Sequence, residues 1–439
     1  MSVLQRLRSA TSYYEATVTR APPRPALSGL QRTQVGVVGG GLAGVSTALE
    51  LAERGFQVTL LEAQRVGSVA SGRNGGQVLA GLACEMSTIE AQLGLHAARR
   101  IWALTTDAVQ LVRQRLQRYA IEADAQDGTL FVSCTPKGAV ALQADWRDLA
   151  ERYGCTSLQW LECDALRRRV GSERYHGGWR DPDGLHLHPL KYLLGLAAAA
   201  ERLGVTIHEG SRVLCVDPAQ GRQGPVLHTD GGQLQCDQVV LAGGAPLGET
   251  IVPFNRLTMP YDSWIVATEP LPLELADAVI PGREAVADDS YDIDYYRLTP
   301  DRRLLFGSGA NYLARSDDAA RAFLQRRLVA VFPQLAGVRI EHLWGGIMEV
   351  PLNRAPVIGP WRGDAGTRVW QAQGFGGHGV AFTGMAGRIV AEHLAGEPER
   401  FELLARIRHR AFPFGRWLQV PMMMAGIYGY RLRERLATR

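Results

Sequence analysis

The sequence predicts an α/β fold, in which a Rossmann-like dinucleotide-binding domain is interleaved with an α+β domain containing an antiparallel sheet. Three observations predict it. Residues 33–62 run strand, glycine turn, helix and strand in the order of a nucleotide-binding βαβ unit. Two more glycine-dense segments, 66–81 and 373–379, lie between apolar flanks far apart in the chain. From Met259 to Gly309 the pattern changes to short strands and turns.

The βαβ unit carries the most information. Val35 to Val38 read as a short buried strand. Gly39, Gly41 and Gly44 follow in G-x-G-x-x-G spacing, one each for a sharp turn, a close backbone approach to a pyrophosphate, and helix–sheet packing. A helix is expected over 42–54, with Gly55 ending it. Val58, Leu60 and Leu61 then deliver Glu62 to where a carboxylate accepts ribose hydroxyls. The free N–H groups and positive dipole end of the helix suit the pyrophosphate. A plain glycine turn would leave Glu62 unexplained.

In 66–81, Gly67, Gly72, Gly75 and Gly76 forbid a regular helix and let backbone pass close to something flat. Ser71, Arg73, Asn74 and Gln77 offer donors beside it. Residues 90–119 and 139–153 read as helices, 181–189 as a turn, 190–202 as a helix and 205–207 as a strand. The strand 238–244 ends in Gly243 and Gly244, beneath the nucleotide. Residues 316–332 return to helix, stopped by Pro333. The last glycine turn, with Gly374, Gly376, Gly377, His378 and Gly379, opens a helix that continues to Leu394. Its N-terminus suits developing negative charge.

These elements divide the chain into an N-terminal arm (1–30), a nucleotide domain in three pieces (31–126, 181–255, 344–400), an inserted substrate domain in two (127–180, 256–343) and a C-terminal extension (401–439). Within the extension, 413–430 is apolar and aromatic but too interrupted to span a bilayer. It suits a packed element, a subunit contact or a membrane-surface patch.

Composition narrows the function. The 439 residues carry a formal net charge of +4, too small to support nucleic-acid binding. Lys137 and Lys191 are the only lysines. Six cysteines without a C-x-x-C pair fit reduced thiols, and His186, His188, His208 and His228 lack metal-ligand spacing, so no metal is expected. With no apolar run of transmembrane length and no signal peptide read at the start, a cytoplasmic location is expected.

The glycine triplet with Glu62, SGRNGGQ at 71–77 and QGFGGHG at 373–379 resemble the flavin-dependent amine oxidoreductases of the glycine oxidase, sarcosine oxidase and D-amino-acid oxidase superfamily. The likeness spans nearly the whole chain, from SYYEAT at 12–17 to YGYRLRERL at 428–436. It implies FAD, with adenine on 35–62 and the flavin ring between 71–77 and 374–379. It also implies a small-molecule amine substrate, with gamma-glutamylputrescine or a related polyamine derivative favoured over an amino acid, and oxygen or another electron acceptor. Relatives with a covalent flavin use a cysteine near the equivalent of 344–350. No cysteine follows Cys236, so a noncovalent flavin is expected. Relatives also activate oxygen with a lysine that has no counterpart after Lys191.

The candidate pocket residues are His378, Glu349, Tyr296 and Arg297, with Tyr295 beside them. Glu349 faces either a cationic amine or Arg354. Arg297 either holds a substrate carboxylate or forms an ion pair. Trp344 covers an apolar tether or belongs to the core.

Overall fold

A computed structural model gives the fold, and the structure describes residues 11–251, 254, 256–290, 292–309 and 316–412. The segment 413–430 lies outside the described residues.

Continuous runs of small and β-branched residues build a mainly parallel sheet. Its main path runs Val357–Pro360, Val369–Gln373, Gly232–Leu241, Gly29–Val38, Val58–Leu61 and Thr206–His208, and along it only the first pair is antiparallel; Val226–His228 adds antiparallel to Gly232–Leu241, and Cys215–Asp217 to Val226–His228. Val35 and Val37 face helices Leu42–Glu53, Leu95–Arg118, Pro189–Arg202 and Gly379–Leu394, joining Leu49, Val112, Leu193 and Phe382 in one core. Val38, Leu61, Val239 and Leu241 face the other way, against Leu227, Phe254 and Trp361. Burial on both faces is what a strand without polar alternation requires. On the helical side Glu50 is 2% exposed and joined to Arg54, Arg115 and Arg388.

The second sheet runs in the order Ile340–Pro351, Thr258–Thr268, Leu304–Ser308, Tyr295–Leu298, Ala285–Asp288, Gln126–Ser133, Gly177–His186 and Gln77–Val78. Only the pairing of Ala285–Asp288 with Gln126–Ser133 is parallel along this path. Helix Asp317–Val331, capped by Ser316 Oγ on the amide of Ala319, lays Leu324 and Leu328 against Val266, Val286 and Phe306.

Several expectations need correction. Ile340–Pro351 pairs with Thr258–Thr268 along its length, so the boundary expected at 343/344 cuts a strand of the second sheet. Gln77–Val78 also belongs to that sheet, although it lies within the piece 31–126 expected in the nucleotide domain. Residues 181–186 continue a strand instead of forming a turn, because a register shift between Asp127 and Thr129 accommodates the Pro-Asp-Gly sequence. The boundary at 180/181 therefore falls inside Gly177–His186. The single helix expected over 90–119 is two, Met86–Leu93 and Leu95–Arg118, parted at Gly94 with φ 82°.

The N-terminal arm packs closely. Ser12 Oγ accepts from the amide of Glu15, capping the turn Tyr13–Ala16, and both tyrosines are buried. Among the described residues no helix is long and apolar enough to cross a membrane.

Candidate active site

At the nucleotide end, the strand Gly29–Val38 stops at Gly39, whose φ is 112° and whose amide donates to Leu61 O at 2.8 Å. A Cβ on Gly44 would stand 1.9 Å from Gly39 O, so helix and turn meet without room for a methyl group. The amide of Gly40 donates to Glu62 Oε2 at 2.6 Å, and that of Gln64 to Oε1 at 2.9 Å. Burial pushes the Glu62 carboxyl upward in pKa. Gly41 is the N-cap of Leu42–Glu53 and brings no side chain to it, while the amide of Leu42 donates to Ser71 Oγ at 2.9 Å. The nucleotide turn and the second glycine loop therefore meet at one helix N-terminus.

The loop 71–77 is held from both sides. Asn74 Nδ2 donates to Ala70 O and Ser71 O, and Asn74 Oδ1 accepts from the amide of Gly76, so Asn74 shapes the loop from within. Gly72 packs on Gly67 and Leu190. Arg73 Nε donates to Gly345 O at 2.6 Å, Trp344 Nε1 donates to Arg73 O at 2.9 Å, and Arg73 Nη2 is buried without a hydrogen-bond partner among the described residues. Gly75 faces the ring of Tyr295, whose hydroxyl pairs with Ser263 Oγ at 2.9 Å. Gln77 Nε2 donates to Val286 O at 3.0 Å, tying the loop to the second sheet.

The last glycine turn has positive φ at Gly374 (72°), Gly376 (62°) and Gly377 (93°). Glu349 anchors it: its carbonyl accepts from the amide of Gly376 at 3.0 Å, and its carboxyl accepts from Gly374 N and Thr258 Oγ1, each at 3.3 Å. Burial raises this carboxyl from 4.5 to about 7. No ion pair joins Glu349 to Arg354 among the described residues. His378 is the N-cap of Gly379–Leu394, and its ring meets the backbone of Ala80, so it joins the turn to the segment just after the strand Gln77–Val78. Burial, then the charge of Arg354, lowers the pKa of its imidazole. Gly377 lies beside Met348 Sδ. Gly243 caps the short helix Gly244–Leu247 after the strand Gly232–Leu241 and packs on Leu247.

Two candidates do not line a pocket. Tyr296 is 1% exposed, stacks on Phe306 and donates to Tyr175 Oη at 2.9 Å, inside the core of the second sheet. Arg297 is also buried; its Nε donates to Gly75 O at 2.7 Å and its Nη2 to Leu187 O at 2.9 Å and Tyr14 Oη at 3.3 Å. It fastens loop 71–77. Alternation along a strand sends Tyr295 and Tyr296 to opposite faces, and Tyr295 is the one that meets the loop. Thr258, Ser263 and Met348 carry no sequence signal; only the register Thr258↔Pro351 and Ser263↔Gly346 places them here.

This arrangement defines a class of protein: a dinucleotide turn, a flat glycine-lined loop and a helix N-terminus, closed by one face of an antiparallel sheet, form the site of a flavin-dependent oxidoreductase. The comparisons agree. The family model for the FAD-dependent oxidoreductases of the DAO family matches residues 34–393, and the chain belongs to that family. Gamma-glutamylputrescine oxidoreductase of Escherichia coli is 39% identical over 427 residues, 97% of this chain and 98% of that one. A probable oxidoreductase, OrdL, of Haemophilus influenzae is 34% identical, covering 98% of this chain and 94% of that one. Among solved structures, glycine oxidase from Geobacillus kaustophilus superposes with TM-score 0.66 at 22% identity, covering 85% of this chain and 97% of that one. L-amino acid deaminase from Proteus vulgaris does so with TM-score 0.70 at 19% identity, covering 89% and 96%.

The residues present fit FAD. The side-chain-free N-cap at Gly41, the buried carboxyl of Glu62 and the unpartnered Arg73 Nη2 offer a cradle, an acceptor and a donor along one line of contacts. The chain is an FAD-dependent oxidoreductase.

Proposed function

We propose that the enzyme oxidises a carbon–nitrogen bond of gamma-glutamylputrescine or a related polyamine derivative, with noncovalent FAD. Bound FAD supplies the two-electron acceptor. The substrate loses a proton from its ammonium and a hydride from the adjacent carbon, and water converts the resulting imine to an aldehyde, releasing ammonia or a smaller amine.

The observation that carries the reading is the end-to-end likeness to gamma-glutamylputrescine oxidoreductase, 39% identical over 97% of this chain. Arg297 secures the loop through Gly75, Leu187 and Tyr14, so it is not the group that holds a substrate carboxylate. Glu349 and His378 are the polar pocket candidates at the glycine turn. His378, held toward its uncharged form, adds no positive charge to repel a cationic amine.

Passing electrons to an acceptor other than oxygen is a second reading, and the lysines favour it. Lys191 Nζ is paired with Asp124 at 2.8 Å, and Lys137 is exposed on the helix Pro136–Tyr153. Neither lies among the residues of the site. Six free thiols support a cytoplasmic setting.

Anaerobic reduction tests the proposal. Gamma-glutamylputrescine, putrescine, spermidine, sarcosine and several D- and L-amino acids are mixed with the FAD enzyme, and the oxidised-flavin band is followed. Fast bleaching by gamma-glutamylputrescine is expected, with slow recovery in air that an artificial acceptor speeds. Fast bleaching by sarcosine or a free amino acid instead overturns the substrate reading.

A further inference from the structure

The N-terminal arm reaches the back of the cofactor loop. Tyr14 is fully buried, and its ring meets Trp344 edge to face at 5.3 Å and His188 at 4.8 Å. Its hydroxyl accepts from Arg297 Nη2 at 3.3 Å, and the guanidinium carbon lies 5.9 Å from the ring centroid. Both neighbours go on to hold the loop: Trp344 through Arg73 O, and Arg297 through Gly75 O. These two carbonyls bracket Asn74. One aromatic side chain from the start of the chain thus stands behind the two bonds that set the path of Arg73–Gly75.

The arm is anchored independently of the loop. Tyr13 Oη donates to Asp301 at 2.7 Å, Thr17 Oγ1 pairs with His188 Nε2 at 3.1 Å, and Arg20 Nη1 donates to Val66 O at 2.8 Å. These contacts reach the second sheet, the cap of helix Pro189–Arg202 and the start of the glycine segment. Tyr14 is therefore held in place by a frame fixed at both ends, which is what a group that positions others requires.

We propose that Tyr14 is a positioning residue for the FAD cradle, acting through Arg297 and Trp344 on Arg73–Gly75. It orders the loop before the cofactor arrives, so that binding does not have to order it. The inference rests on the placement of FAD against 71–77 and is independent of which amine is oxidised.

The test compares Tyr14→Phe, which keeps the ring and removes the acceptor for Arg297, with Tyr14→Leu, which removes both. FAD is titrated into the full-length apoprotein by quenching of flavin fluorescence, and the visible circular dichroism of the bound flavin is recorded. Leu324→Ala, in the far core of the second sheet, serves as a control for destabilisation alone. Tyr14→Leu is expected to raise the FAD Kd about tenfold and alter the visible dichroism, and Tyr14→Phe to raise it about threefold. Leu324→Ala lowers the melting temperature with Kd and dichroism unchanged. If Tyr14→Leu melts earlier yet binds FAD with the wild-type Kd and dichroism, Tyr14 is ordinary core and the proposal fails. If Tyr14→Leu does not fold, Tyr14→Phe decides, and an unchanged Kd there overturns the link through Arg297.

Discussion

Glu349 offers the sharpest pH prediction. Its carboxyl is buried at the glycine turn, and burial raises its pKa from 4.5 to about 7. A carboxyl whose folded value exceeds its unfolded value adds stability below the unfolded value and loses it as pH rises through the folded one. The full span corresponds to about 3 kcal/mol, most of it crossed between about pH 5 and pH 8. Glu349→Gln keeps an acceptor for Gly374 and Thr258 but has no charge to titrate. Urea unfolding of both proteins at fixed excess FAD, over this pH range, isolates the group because other titrations cancel in the difference. The wild type should lose about 2–3 kcal/mol relative to the variant on going from the acid to the alkaline end. A flat difference would show a carboxyl with the same pKa folded and unfolded, and one of opposite slope a carboxylate stabilised at the turn; either refutes the reasoning.

Other perturbations separate cradle, core and surface. Gly44→Ala places a methyl group 1.9 Å from Gly39 O; the purified protein should carry little flavin, read as the ratio of visible to ultraviolet absorbance. Tyr296→Phe leaves Tyr175 Oη without its donor and should cost about 1–2 kcal/mol in unfolding, with kcat/KM unchanged. A large fall in kcat/KM would return Tyr296 to the pocket wall. Arg115→Leu removes one of three cations around Glu50 and should destabilise by about 3 kcal/mol in denaturant melts. Cys215 is the exposed thiol of the six and should react first with a thiol reagent, with no loss of activity.

The sequence was most legible where one local geometry required particular residues. Between Val35 and Glu62 turn, helix and strand each leave their own mark, and the helix after His378 could be read from its glycine turn. Reading failed where long-range pairing overrode local signals. Pro-Asp-Gly at 182–184 reads as a turn, yet sits in a strand because the partner strand supplies a register shift. The boundary expected at 343/344 falls inside a strand, where Gly345 and Gly346 pair with Trp264 and Ser263. Arg297 misled because an arginine near a predicted pocket suggests an anion. Its acceptors are backbone carbonyls at Gly75 and Leu187, which no residue pattern announces. For the same reason no residue pattern announces the loop's bond from Trp344, or Tyr14 behind it.

The strand order has a consequence for how the polypeptide matures. Val35 pairs in parallel with Gln238, and the strand holding Gln238 waits in turn for Val369. The second sheet gains its last edge only when Ile340–Pro351 has been made. Neither sheet closes on the ribosome until most of the chain has emerged, and sheets dominated by distant pairings assemble slowly. During that interval the edges of half-built sheets are exposed to other chains. FAD placed as proposed, against 39–62, 71–77 and 374–379, would bridge early and late segments, and its supply during synthesis would then govern how much chain escapes aggregation.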